Sequence, residues 1–207
     1  MSKLPKPPSG HSDHKRYSVS NTKITILGAS ITFFLTLSLF PTFPFWFYEQ
    51  ASGDLLSLAK TLSHEIVFAI GVIAVHESIH YLMALRNGYE PIFGIKIQES
   101  AWLLREPIPY VAIFDEYVSR NENVTQLIAP LVVIDMVALL FTIPIFPSIF
   151  AFYAKIALVV NTAGSSGDIY NTVNILKFPK NTKFLNVVDD GISTYYSVPY
   201  SPDGAVE

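Results

Sequence analysis

A short motif of two histidines and a glutamate is the part of the sequence best suited to chemistry. His76-Glu77-Ser78-Ile79-His80 has histidines at positions i and i+4, which fall on one face of a helix about 6 Å apart along its axis. Both imidazoles can therefore reach one zinc ion. Glu77 stands beside the first histidine, where its carboxylate can take a proton from a metal-activated water without occupying the metal. The motif predicts a zinc centre with Glu77 as catalytic base, and the alternative is a packed polar cluster without a metal.

A catalytic zinc needs a third protein ligand and one open position. Asp168 is the predicted third ligand, because its position at the inner end of its predicted helix matches the depth of the two histidines. Asp135, near the middle of the preceding predicted helix, is the alternative third ligand. Asn161 precedes Asp168 by about two helical turns and shares its face. It is a candidate for binding the substrate, or equally for a packing bond to a neighbouring helix.

The elements that must hold these residues are those of a membrane protein. Of the 207 residues, 50% are hydrophobic and only 15% are charged, whereas an average soluble domain is about 25% charged. A bilayer needs roughly 20 helical residues for each crossing. The apolar stretches predict an α-helical integral membrane protein with about four transmembrane helices, at residues 23–45, 59–86, 124–146 and 149–175. The histidine motif then lies inside the second span, where ionisable residues are costly and usually functional.

The polar segments divide the chain into three parts. Residues 1–22 contain prolines, serines and several basic residues, and they predict a disordered cytoplasmic tail. Residues 23–178 form the predicted membrane domain that holds the metal centre. Residues 179–207 form a predicted cytoplasmic C-terminal tail.

A small β-hairpin-like insertion is predicted between the second and third spans, at residues 88–123. Ile92–Ile97 and Tyr110–Phe114 are rich in β-branched and aromatic residues, which favour strands. In this topology every lysine and arginine except Lys60 and Lys155 falls on one side of the membrane. The positive-inside rule therefore places both termini and the insertion in the cytoplasm, with the protein in the cell (plasma) membrane.

Composition also excludes several classes of protein and partner. The chain has no cysteine, which excludes a thiolate zinc site and a cysteine nucleophile. Its net charge is −3, so binding to nucleic acid has no electrostatic basis. The expected partners are the lipid bilayer and a membrane protein or peptide that serves as substrate.

The motifs together resemble a zincin-type integral membrane peptidase family, which is distantly similar to the site-2 (intramembrane) metalloproteases. The resemblance spans about residues 60–196, and it rests on His76-Glu-x-x-His80, Ala129-Pro130 and Gly164-Ser-Ser-Gly-Asp168. It implies His76, His80 and Asp168 as ligands of one zinc ion and Glu77 as the base. The chain departs from the site-2 proteases near the third ligand. Those proteases carry Asn-x-x-Pro before an Asp-Gly pair, whereas Asn161 here lacks that proline and Ile169 follows Asp168.

The sequence therefore predicts a zinc metalloprotease that uses one Zn²⁺. It would be an endopeptidase that hydrolyses peptide bonds of membrane-associated substrates, inside the membrane or at its boundary. The alternative function is a metal-binding membrane scaffold or chaperone without proteolytic activity. That alternative predicts bound metal but no cleavage that a chelator can stop.

Overall fold

The computed structural model describes residues 4–42, 55–99, 105–188 and 192–200. Within these ranges the helices are α1 (Asn21–Leu39), α2 (Leu55–Arg86), α3 (Arg120–Phe141), α4 (Ser148–Gly164) and α5 (Ser166–Ile175). The strands are β1 (Lys15–Tyr17), β2 (Ile92–Glu99), β3 (Arg105–Ala112), β4 (Tyr117–Ser119), β5 (Lys183–Val188) and β6 (Ile192–Ser197). The chain divides into two compact units. The helical unit comprises Thr22–Ser78 and Pro130–Gly167, and the sheet unit comprises Met1–Asn21, Ile79–Ala129 and Asp168–Glu207.

The helical unit is apolar both inside and outside. Its core consists of small and aliphatic side chains from α2, α3 and α4, namely Val72, Ala138, Ala154, Ala157 and Leu158. Large apolar side chains such as Phe34, Val67 and Met136 are exposed, which water would penalise and lipid would not. By length and composition, α1, α3 and Leu62–Arg86 within α2 are suited to cross a membrane, and the bent pair α4–α5 could form a further span. These features are consistent with a membrane protein.

Helix α3 covers Arg120–Phe141, whereas hydropathy predicts a helix over residues 124–146. The helix therefore begins and ends earlier than predicted. At its start, the Ser119 N–H donates to Glu122 and the Glu122 N–H donates to the Ser119 hydroxyl. This reciprocal capping box starts the helix at a polar turn that hydropathy does not reveal. At its end, the helix stops at Phe141 although the chain stays apolar, because Pro144 lacks the N–H that a continuing helix needs.

The structure breaks the single helix predicted over residues 149–175. Helices α4 and α5 meet at a bend of 45°. Between them, the N–H and the hydroxyl of Ser165 both donate to the carbonyl of Asn161, each at 2.8 Å. Glycine and serine are weak helix formers, and a serine that bonds back to the preceding turn bends a helix. The break makes Asp168 part of the first turn of a new helix.

The sheet unit contains an antiparallel sheet of four strands in the order β1-β6-β5-β4. Phe184, Leu185 and Val187 of β5 are buried. Strand β1 lies within residues 1–22, where disorder was expected, and pairs with β6 from Lys15↔Tyr196 to Tyr17↔Thr194. Composition gave no signal for this strand, because its partner lies near the opposite end of the sequence.

Strands β2 and β3 form a separate antiparallel pair between α2 and α3 in the chain. The register runs from Ile92↔Ala112 to Glu99↔Arg105. Gly94 lies opposite Tyr110, whose ring occupies the place of a side chain there: a Cβ on Gly94 would stand 2.6 Å from the ring. A larger residue at position 94 would therefore need the Tyr110 ring to move.

Candidate metal centre

Helix α2 holds both predicted histidine ligands on one face. The helix runs from Leu55 to Arg86 without a proline, so residues at i and i+4 stay aligned along it. His76 is only 8% exposed, and Glu77 and His80 are partly buried. Buried imidazoles on an apolar helix must satisfy their polar nitrogens with specific partners.

Asp168 comes from the first turn of α5. Unpaired N–H groups at the start of a helix favour a negative charge in that turn, so the helix break also suits the carboxylate. The Asp168 Oδ2 lies 3.4 Å from Nε2 of His80. The two side chains are 18% and 12% exposed respectively, which leaves a route for water.

The structure brings the three predicted ligands together. One ligand atom from each of His76, His80 and Asp168 lies within 4.8 Å of the other two. Atoms bound tetrahedrally to one zinc at about 2.1 Å would stand roughly 3.4 Å apart, so small side-chain movements suffice. Two imidazole nitrogens and a carboxylate oxygen are also a donor set that zinc takes in catalytic sites, with a fourth position left for water or substrate. The residues therefore fit a zinc ion.

Asn161 determines which nitrogen of His76 carries the proton. Its Nδ2 donates to Oδ1 of Asp135 at 2.8 Å, and its Oδ1 lies 2.9 Å from Nδ1 of His76. Because a carboxylate only accepts hydrogen bonds, the amide must turn its NH₂ group to Asp135 and its oxygen to His76. His76 therefore donates from Nδ1, and its Nε2 carries the lone pair that a metal can bind.

His80 also donates from Nδ1, in this case to the main chain. Its Nδ1 lies 2.9 Å from the carbonyl oxygen of Gln126 in α3. A carbonyl oxygen can only accept, so His80 also carries its proton on Nδ1. Its Nε2, which lies 3.4 Å from Oδ2 of Asp168, is then the nitrogen that could bind a metal.

Asp135 and Asn161 are hydrogen-bonded to each other. Asp135, the alternative third ligand, accepts bonds from Asn161 Nδ2 and from Thr162 Oγ1, both at 2.8 Å, and the ligand cluster contains Asp168 instead. Asn161, the candidate for substrate binding, is 2% exposed. Its amide bonds to His76, Asp135 and the carbonyl of Pro130. Asn161 is therefore buried against His76 and Asp135, which agrees with a packing bond to a neighbouring helix, and a role in substrate binding stays a prediction.

Two participants were missed by sequence reasoning, Gln126 and Thr162. Gln126 contributes its main-chain carbonyl, so its side-chain type carries no signal for this role. Threonine is common in apolar helices, where its hydroxyl usually bonds to a carbonyl of its own helix, so Thr162 did not stand out. A signal did exist for the network as a whole, since Asp135 and Asn161 are polar residues inside predicted spans and need partners there.

The arrangement defines a mostly helical protein with a candidate metal site, and a family comparison is more specific. Residues 69–183 match the model of a family described as "Putative zincin peptidase". The match covers more than half of the chain, so the chain belongs to this family, and the resemblance predicted from its motifs is confirmed. Membership suggests a metallopeptidase and implies zinc as the metal. No curated protein and no solved structure matches the chain.

Proposed function

We propose that this protein is a zinc-dependent endopeptidase that cleaves membrane-associated proteins or peptides, inside the bilayer or at its cytoplasmic boundary. The observation that carries the proposal is the cluster of His76, His80 and Asp168, with ligand atoms within 4.8 Å of one another. Two of these ligands lie on α2, in a part of the helix suited to cross a membrane. Membership in the zincin peptidase family supports the same assignment.

In this proposal the ion is held by Nε2 of His76, Nε2 of His80 and a carboxylate oxygen of Asp168. When bound, zinc supplies the Lewis acidity that activates water and polarises the scissile carbonyl. The Nδ1–H bonds to Asn161 and Gln126 keep the two imidazole rings in the orientation that binding needs. The pattern of ligands and base is similar to that of the site-2 metalloproteases.

Glu77 is the proposed proton carrier. It directly follows His76 on α2, so it lies beside the ligand face without belonging to it. Its carboxylate takes a proton from the attacking water and then gives that proton to the amine nitrogen as the scissile C–N bond breaks. Glu77 is partly buried, which limits the water that would compete for this proton.

A substrate that spans the membrane must unwind before it is cut. Its peptide carbonyls are bonded within its own helix, and exposed backbone is costly in lipid. An unwound segment needs a new partner for its N–H and C=O groups. An added strand on the β2–β3 hairpin would supply one.

The prolines of β3 indicate which edge of this hairpin is suited to that role. Pro107 and Pro109 lie opposite Ile97 and Ile95 of β2. Since proline has no N–H, the ladder is kept only if these positions point away from β2. Opposite residues of an antiparallel pair share this orientation, so Ile95 and Ile97 turn their main-chain groups to the outer edge of β2. We infer that a substrate strand pairs with β2 and not with the donor-poor edge of β3.

The distribution of basic residues supports a cytoplasmic position for the hairpin and both termini. Lys96 of β2, Lys15 and Arg16 of β1 and Lys183 of β5 all belong to the side that the positive-inside rule assigns to the cytoplasm. We accordingly propose the cell membrane as the location, with water reaching the metal from the cytoplasm.

The decisive experiment compares Glu77→Gln with Glu65→Gln, the same substitution about three turns earlier on α2. Full-length protein is reconstituted in liposomes with single-span model substrates that carry a Gly-Pro pair near one membrane boundary. Glu77→Gln is expected to keep stoichiometric zinc and to lose about 10²- to 10⁴-fold in cleavage rate. Glu65→Gln should keep both zinc and cleavage.

Zinc content is measured by elemental analysis and cleavage products by mass spectrometry. Full cleavage by Glu77→Gln would remove the proposed base. A wild-type protein that holds zinc but cleaves none of the substrates would instead favour the metal-binding scaffold.

A further inference from the structure

Pro130 lies inside α3, one turn after Gln126. In an α-helix the N–H of residue i donates to the carbonyl of residue i−4. Proline has no N–H, and its ring crowds the carbonyl of residue i−4 and tilts it away from the helix axis. The carbonyl of Gln126 therefore receives no helical hydrogen bond from position 130.

The same carbonyl accepts the hydrogen bond of the second predicted zinc ligand. Nδ1 of His80 lies 2.9 Å from the oxygen of Gln126. If residue 130 had an N–H, that group would occupy this oxygen and draw it back towards the helix axis. The His80 imidazole would then share the Gln126 carbonyl oxygen with that N–H group in a poorer geometry, or would lose this hydrogen bond.

We propose that Pro130 is a positioning residue of the zinc centre. By withholding an N–H, it reserves the Gln126 carbonyl for Nδ1–H of His80 and so keeps Nε2 of His80 as the metal-binding atom. The consequence for catalysis rests on the proposed function. The effect on the His80 ring itself does not, because it concerns a tautomer and an affinity and can be measured without cleavage.

Pro130 has a second contact that helps to isolate this effect. Its own carbonyl lies 3.4 Å from Nδ2 of Asn161. A substitution at position 130 leaves this main-chain oxygen in place, so the Asn161 contact to His76 is kept. Changes that follow the substitution can then be assigned to His80.

The test restores the missing donor with Pro130→Ala in the full-length protein. Zinc affinity, measured by competition with a chelator in detergent micelles, is expected to fall about ten- to a hundredfold, as when an outer partner of a metal-binding histidine is lost. In the metal-free protein, ¹⁵N chemical shifts of His80 should move from the Nδ1–H tautomer towards a mixture. Pro144→Ala is the matched control, because Pro144 follows α3 and is exposed.

A second variant separates the missing N–H from the packing of the buried proline ring. Lactic acid in place of Pro130 gives an ester that has the side chain of alanine but no N–H. This ester should regain the zinc affinity and the His80 tautomer of the wild type, whereas a packing role predicts that it behaves like Pro130→Ala. Wild-type affinity and tautomer in Pro130→Ala, or an ester as weak as alanine, would overturn the proposal. A wild type that binds zinc but cleaves nothing would overturn only the proposed proteolysis.

Discussion

The two histidines of the candidate zinc centre lie one turn apart on α2, yet different kinds of contact orient them. His76 bonds to the side chain of Asn161, which Asp135 holds in turn. His80 bonds to the main-chain carbonyl of Gln126. A side-chain contact is lost in a single substitution, whereas a main-chain contact survives any substitution that leaves the backbone in place. Substitution of the partner residue should therefore disturb His76 and leave His80 largely unchanged.

The side-chain contact of His76 and the main-chain contact of His80 also differ in what the surrounding structure must supply. The side-chain network places an amide, a carboxylate and a hydroxyl among apolar helices, and each must be satisfied because buried polar groups are costly when unpaired. Asp135 meets this requirement with one bond to each oxygen, from Asn161 and Thr162. The main-chain solution needs no additional polar side chain. It needs only a carbonyl that its own helix does not use, which is what a proline provides.

The largest effects are expected where the two histidines are equivalent, as metal ligands. His76→Ala, His80→Ala and Asp168→Ala should each lose stoichiometric zinc, because two remaining ligands hold the ion weakly. Asp135→Asn should keep it. Elemental analysis of the purified variants checks this.

Zinc that survives in Asp168→Ala but disappears from Asp135→Asn would reverse the choice of third ligand. Unequal losses in the two histidine variants would show that orientation, and not ligation alone, governs the site.

The residues of the cluster were predictable from the sequence, but their hydrogen-bond partners were not. His76 and His80 are linked by helical spacing, and Asp168 could be matched to them in depth because the spans were visible in the hydropathy. The partner of His80 is a main-chain atom, and every residue has such an atom. The helical spacing placed Asn161 on the same face as Asp168. Whether its side chain contacts a substrate or a neighbouring helix depends on tertiary packing, which the local sequence does not encode.

The next largest effect separates the two histidines. Asn161→Ala should weaken zinc binding about ten- to a hundredfold, since Nδ1 of His76 loses the partner that fixes its tautomer. Gln126→Ala should change affinity little, because the carbonyl that His80 uses remains. Chelator competition measures both affinities, and ¹⁵N shifts of His76 and His80 report the tautomers. Equal losses in the two variants would mean that the Gln126 side chain matters and that the contrast is incorrect.

The fold shows the same division between local and distant causes. The ends of α3 follow local rules, a capping box at Ser119 and a proline at Pro144, which hydropathy alone passes over. The pairing of β1 with β6 depends on residues from opposite ends of the chain. No local pattern in residues 1–22 could have indicated it.

A smaller effect tests whether main-chain contacts also serve the substrate. Ile95→Pro removes an N–H from the outer edge of β2 and should leave the ladder with β3 intact. The loss of one main-chain hydrogen bond, worth roughly 1 kcal/mol, should raise KM by about fivefold and leave kcat and zinc content unchanged. Ile95→Val keeps the N–H and is the control. An unchanged KM in Ile95→Pro would exclude this edge as the substrate site.

The smallest effect lies at the outer end of the network that orients His76. Thr162→Val removes the hydroxyl that donates to Asp135 Oδ2 and keeps the shape of the side chain, whereas Thr162→Ser keeps the hydroxyl. Stability should fall by roughly 1–2 kcal/mol in the valine variant, because a partly buried carboxylate loses a bond, and thermal unfolding measures this. Zinc affinity should fall much less than in Asn161→Ala, since Asp135 still holds the amide. A loss of zinc affinity as large as that of Asn161→Ala would show that the Asp135 carboxylate, through its position or charge, controls the orientation of His76. The hydrogen-bond network of His76 would then extend beyond Asn161, whereas that of His80 ends at the Gln126 carbonyl.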